Sequence, residues 1–238
     1  MENAFSLHCI QYTLSFPRKG GRGRKQFSDA LNPVFHQLAR IHDDYLLANK
    51  EWDKLFDWTF WYKERPQVGF LAAAVWKSGG VALEEYGRGK QGYKQKGKSR
   101  KGRCDIWILS RSKNGEERQW ECEAKYKWIQ WHQSRWKWLD QYREKRDAAR
   151  MAARDLSNTN DKLAVVFCTI CASEECAGNE WLRDVERKVS SELGCGNGSR
   201  KKDSALLMLS LKSGFKVPEE AKKLRSPCIA LLVTVEAV

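Results

Sequence analysis

Apolar and polar residues alternate around Ile10, Tyr12, Leu14 and Phe16, the period-two pattern of a half-buried strand, and predict one strand within residues 4–16. From Pro33 to Lys63 the period changes. Phe35, Leu38, Ile41, Leu46, Leu55, Phe56 and Phe60 recur at helical spacing and predict one or two helices ending before Pro66. Val68 to Trp76 predicts a short apolar helix stopped by Gly79-Gly80, and Val81 to Tyr86 a further turn or two of helix closed by Gly87.

Two apolar stretches follow, GRCDIWILS (102–110) and RQWECEAKYKW (118–128), separated by Asn114-Gly115. Asn-Gly between β-like runs signals a hairpin, because both residues tolerate the positive φ of a tight turn. Alternation then places Glu121, Glu123 and Lys125 on one face of the second strand and Cys122, Ala124 and Tyr126 on the other. Asp105 lies on the partner strand. Beyond the hairpin the pattern predicts a helix from Trp128 to about Leu156, a strand over Leu163–Cys171 and a helix over Asn179–Leu193. Two strands, Ser204–Leu211 and Cys228–Val235, complete it.

This order defines an α/β chain with a central mixed β-sheet flanked by helices. Its 238 residues suit one domain, 1–238. Residues 1–80 are an N-terminal strand and helical extension, 81–172 a core, and 173–238 a C-terminal helix and strands completing the sheet.

Composition changes the picture in one direction. Hydrophobic content of 42% with eleven Trp marks a globular chain, and a formal net charge of +13 calls for a polyanionic partner, most often nucleic acid. No apolar run approaches the ~18 residues of a membrane span, so no membrane partner is expected. The first residues, MENAFSLHCIQYTLSF, lack a positive segment before an apolar one, which points to the cytoplasm. Eight cysteines are present. Cys168 and Cys171 have zinc-like spacing, but they lie in an apolar strand with no second pair, so buried free thiols are expected rather than zinc or disulfides.

Two carboxylates beside an ammonium form a site for Mg²⁺ next to a cation that can meet developing negative charge, which phosphodiester hydrolysis needs. On Asp105 in Arg103-Cys104-Asp105-Ile106-Trp107-Ile108, and on Glu123-Ala124-Lys125, the chain resembles the PD-(D/E)XK nuclease superfamily. The β-β-α-β order extends that resemblance over roughly residues 80–172. Cys104 stands where the family's proline would be, and no Gln-x-x-x-Tyr follows on the next helix, unlike the exonuclease branch. The resemblance implies a restriction-endonuclease-like core with N-terminal helical decoration. It implies Asp105, Glu123 and the Ala124 carbonyl as ligands of Mg²⁺, with Mn²⁺ able to substitute, and Lys125 acting on the attacking water or the transition state. It also implies an additional metal-linked acid on the helix before the core, assigned to Glu85 with Glu84 in reserve. Glu121, on the face of Glu123, would hold a water on a second metal or reach solvent.

Residues 87–103 hold eight basic side chains and no acid. Arg88, Lys90, Lys94, Lys96, Lys98, Arg100, Lys101 and Arg103 are expected to form a flexible phosphate-gripping arm beside Asp105, with Arg22 and Arg24 of a second basic, glycine-rich loop (17–25) as companions. The match Gly92-x-x-x-x-Gly97-Lys98-Ser99 to a phosphate loop lacks the preceding strand and following helix that its mechanics require. Trp128, Trp131 and Trp138 are expected to pack the next helix onto the sheet, leaving Trp136 to stack on unpaired bases. His132 and Gln133 on the same helix are assigned to structure.

The function expected from these residues is a metal-dependent nuclease, a DNA endonuclease before an exonuclease. It would work alone, as a homodimer or with partner proteins of a larger DNA-processing complex. A non-catalytic nucleic-acid-binding module of the same fold is the alternative, and an assembly protein of a mobile element is a third reading.

Overall fold

Unbroken apolar runs in the second half of the chain become the middle of one sheet. β6 (Asp161–Cys171) is buried from Leu163 onward and lies between β8 (Cys228–Ala237), antiparallel to it, and β5 (Glu117–Gln130), parallel to it. Such runs need no alternation because both faces are covered. With β1 (Asn3–Ser6), β2 (Ile10–Ser15), β3 (Val81–Lys90), β4 (Arg100–Arg111) and β7 (Ser204–Leu211), the eight-stranded mixed sheet has the order β1-β2-β7-β8-β6-β5-β4-β3. The computed structural model describes residues 3–16, 22–48, 60, 63–90, 100–112, 114–130, 137–156, 161–171, 179–193, 203–212 and 228–238. None of its described helices is long and apolar enough to cross a membrane.

Four described helices cover the two faces. On one side α1 (Arg22–Ala48) and α2 (Glu64–Lys77) bury Phe27, Leu31, Phe35, Leu38, Leu71 and Val75 against Val165, Phe167, Leu207 and Leu231. On the other, α3 (Lys137–Arg154) and α4 (Asn179–Leu193) bury Trp138, Tyr142, Val185 and Val189 against Val166, Cys168, Leu206 and Met208. Each such large side chain contributes about 1.5–3 kcal/mol by leaving water. The α2–β3 turn is close-packed: a Cβ on Gly80 would stand 2.4 Å from the Leu109 carbonyl, so only glycine fits there.

Several expected elements change. The N-terminal strand is a hairpin, because Asp43 of α1 accepts hydrogen bonds from the N–H groups of His8, Cys9 and Ile10 and folds β1 back on β2. The basic loop is shorter than expected: α1 begins at Arg22 and runs through Pro33, carried by Phe27, Ala30, Leu31 and Val34 in the core. Residues 81–86 are strand, not helix, since β4 pairs with all of them except Glu85. The post-hairpin helix starts at Lys137 rather than Trp128. β5 continues to Gln130 because β6 pairs with it that far. Trp128 is therefore an exposed strand residue, and Trp131, His132, Gln133 and Trp136 lie outside the described residues.

The predicted helix at 179–193 and strands at 163–171 and 204–211 stand as read, with β6 and β8 two residues longer at one end. Cys9, Cys104, Cys122 and Cys168 are free buried thiols. Cys171 departs from that expectation: it is disulfide-bonded, at the end of β6 where the register with β8 shifts.

Candidate metal and phosphate site

The β4–β5 hairpin turns through Gly115 at φ 79° and pairs from Arg111–Glu117 to Ile106–Cys122. There the ladder stops. Asp105 and Glu123 are next in register, yet the strands part before they pair. On its other side β4 pairs with β3 over residues 100–104 and 106–109 but skips Asp105, opposite Glu85. Glu85 has φ 49°, a left-handed conformation uncommon for a side-chain-bearing residue. Asp105 thus sits at a local opening in the sheet with ladder partners on neither side.

That opening leaves backbone N–H groups of β5 to be satisfied by side chains. Asp105 Oδ2 accepts a 2.7 Å hydrogen bond from the Ala124 N–H. Lys125 Nζ lies 4.0 Å from the same Oδ2, and it donates a 2.5 Å bond to the Ala124 carbonyl. Asp105 and Lys125 are each 29% exposed, open enough to meet a ligand. The structure therefore brings together three expected residues, Asp105, Ala124 and Lys125.

Glu123 shares the face of Lys125 but is only 2% exposed, and Glu121 is fully buried, which removes the solvent-reaching role considered for it. Their charges fall beside two thiols. Burial pushes the Cys104 thiol up to about 12, with Glu123 and Glu121 adding to the rise, and Cys122 is pushed up in the same way.

Glu85 does not have the helix position expected for it. It lies on a strand rather than a helix, and its carboxylate is held by Arg65 at 2.7 Å and Arg103 at 2.6 Å. Glu84 instead lies over α2, within 3.8 Å of where a Cβ on Gly69 would stand. The acid that α2 does bring is Glu64, in its first turn. Burial raises the Glu64 pKa, and Asp105 raises it further. Lys125, a hydrogen bond from the Tyr126 backbone N–H, and Lys145 of α3 act the other way. Glu64 was not singled out in the sequence. Its one signal there is an acid two residues before Pro66, which marks a helix start but not what the helix end faces.

Of the expected basic contacts, Arg88 and Lys90 are on β3, and Arg100, Lys101 and Arg103 on β4. Lys90 pairs with Arg100 and Gly89 with Lys101 in the β3–β4 register. The arm's ends are thus paired strand rather than loop. Arg22 and Arg24 lie in the first turn of α1. Lys94, Lys96 and Lys98 lie outside the described residues.

Among the described residues, no three His, Cys, Asp or Glu side chains are gathered closely enough to hold a metal ion. The oxygen donors at the opening are the Asp105 carboxylate and the Ala124 carbonyl, and Glu64 is near enough to interact electrostatically with Asp105. All are hard oxygen ligands of the type Mg²⁺ prefers, and mutual repulsion of the two acids is what a cation would relieve. No family model matches this chain, and neither does any curated protein or solved structure.

Proposed function

We propose that this chain is a metal-dependent nuclease with a restriction-endonuclease-like core, cleaving phosphodiester bonds of DNA as an endonuclease. The observation that carries the reading is the opening between β4 and β5, where Asp105, the Ala124 backbone and Lys125 converge. The β-β-α-β order of β4, β5, α3 and β6, with β5 and β6 parallel, supports the core.

The Asp105 and Glu64 carboxylates and the Ala124 carbonyl would hold Mg²⁺, with Mn²⁺ able to replace it. Glu123 would join on a small shift of β5. When bound, the ion supplies neutralising charge and a more acidic attacking water. Lys125 orients that water or meets charge developing on the phosphate oxygens, its ammonium already poised beside Asp105. Arg103 and the basic strand residues of the β3–β4 hairpin receive the neighbouring phosphates.

A non-catalytic nucleic-acid-binding module is the second reading. The burial of Glu123, which closes it off from solvent, favours it. A supercoiled-plasmid nicking assay with Mg²⁺, Mn²⁺ and EDTA separates the two. Nicking with metal that EDTA stops is the expected result, whereas salt-sensitive binding with no cleavage under any metal would leave only the module.

A further inference from the structure

A cleft of about 620 Å³ opens at the other end of the sheet order, between α4 and the strands β1, β2 and β7. Its origin is plain in the topology. α4 stands on β7, while β2 and β1 extend the sheet beyond it. The two faces of these outer strands differ sharply in chemistry. One carries Phe5, Ile10, Tyr12 and Leu14, packed on the α1 side of the sheet. The register places Ser6, Gln11, Thr13 and Ser210 on the other, beside Met208. A surface left merely to water would need no buried charge, yet this one faces Glu186 of α4, only 7% exposed, which accepts a 2.5 Å hydrogen bond from the Thr13 hydroxyl.

On α4, Leu182, Arg183, Glu186 and Arg187 line the cleft at i, i+1, i+4 and i+5, one face of a helix. Arg187 is exposed and paired with Asp184, and Arg183 is exposed and enters no ion pair among the described residues. The cleft therefore combines strand hydroxyls and the buried Glu186 carboxylate with two exposed guanidinium groups, and Phe5, Tyr12, Leu182 and Met208 also line it. Its volume is that of a small-molecule site.

We propose that this cleft binds a phosphorylated ribose compound, with sugar hydroxyls on Glu186 and Thr13 and the phosphate on Arg183 and Arg187. A carboxylate accepts hydrogen bonds from ribose hydroxyls, and the planar guanidinium matches phosphate oxygens. A nucleotide and a free sugar phosphate share that chemistry. The site is independent of the proposed nuclease centre.

The test is calorimetric titration of the full chain in EDTA with AMP, ribose 5-phosphate, adenosine and inorganic phosphate. The expected result is saturable binding of AMP or ribose 5-phosphate. Ribose 5-phosphate as tight as AMP assigns a sugar phosphate, and tighter AMP assigns a nucleotide. Adenosine should bind about a hundredfold more weakly than AMP, the loss of two charge-assisted contacts. Arg183→Ala should weaken AMP about tenfold, part of the way to the adenosine level because Arg187 remains, and Thr13→Val should weaken both AMP and adenosine. Arg183 is on the surface, so that variant stands even if Glu186→Gln does not fold. No saturable binding of any probe, phosphate alone as tight as AMP, or AMP binding lost in Lys125→Ala but unchanged in Arg183→Ala would each overturn the proposal.

Discussion

Asp105 accepts a hydrogen bond from the backbone N–H of Ala124 across a gap where their strands have stopped pairing. The bond holds the opening without closing it. A continued ladder would occupy the Ala124 N–H and carbonyl with β4 backbone. Here the first meets a carboxylate and the second the Lys125 ammonium, both of which a ligand can displace.

Glu64→Gln should separate stability from metal affinity. The folded pKa of Glu64 is raised above its unfolded value. Its favourable contribution is therefore complete below the ordinary value of 4.5 and is lost as pH rises through the raised one. Gln escapes that loss while keeping an acceptor for the Tyr126 N–H. Melting at pH 7 without metal should be higher for the variant, and the difference should vanish near pH 4. Calorimetry should show weaker Mg²⁺ binding. Unchanged metal affinity would remove Glu64 from the site.

His42 should make the fold acid-sensitive. Its ring is wholly buried against Phe60 and Phe70, with no hydrogen-bond partner for either nitrogen among the described residues, and burial pushes its pKa down to about 3. Stability from this group is complete above an unfolded pKa near 6.5 and is lost as pH falls, by up to about 1.4 kcal/mol per pH unit. Urea unfolding at pH 7 and pH 5 should show a widening deficit relative to His42→Leu. Parallel pH profiles for the two proteins would contradict this.

The sequence exposed the middle of the sheet and the Asp105–Lys125 pair of the candidate site, and missed the elements around them. β6, β7 and α4 are legible because their residues are apolar without interruption or recur at a strict helical period. Leu83-Glu84-Glu85 reads as helix because its acids suit a helix surface. Only the partner strand β4, an interaction at long range, makes it β-structure. Trp128 likewise followed β6 rather than its own aromatic spacing. Glu64 was beyond reach for a related reason. Its proximity to Asp105 depends on how α2 docks across β3 and β4, and nothing near residue 64 encodes that.

Asp43→Ala should destabilise the chain by about 3 kcal/mol or more, because three backbone N–H groups lose a charged acceptor, two of them buried. Asp43→Asn should recover part of the loss by restoring one acceptor oxygen. Chemical denaturation of both variants measures this. A loss under about 0.5 kcal/mol, within the range of an ordinary surface change, would mean that the β1–β2 turn holds itself.

Neutralising Arg88, Lys90, Arg100, Lys101 and Arg103 should weaken DNA binding without unfolding the domain. The register keeps these residues on paired strands at the sheet's outer edge. Each lost phosphate contact should flatten the log–log salt dependence by roughly 0.9 for duplex DNA. A salt slope unchanged after all five substitutions would place the DNA elsewhere.

Lys125→Ala and Glu123→Ala should both abolish cleavage, by different routes. Lys125 is a partly exposed cation that donates to the Ala124 carbonyl and lies 4.0 Å from Asp105, so its removal leaves the oxygen donors in place. Metal binding should survive while turnover falls about 10²-fold or more, as for other lost electrostatic stabilisers. Glu123 is buried, so in the proposed site it would become a ligand only on a shift of β5. Metal affinity should drop, and excess Mn²⁺ should restore part of the activity. Loss of Lys125 also frees the Ala124 carbonyl, which should leave Mg²⁺ affinity equal to that of the unaltered chain or slightly higher. Calorimetric metal titration beside cleavage rates reads both variants. Full activity in Lys125→Ala would exclude the nuclease reading. Unaltered metal affinity in Glu123→Ala would instead restrict the site to Asp105, Glu64 and the Ala124 carbonyl.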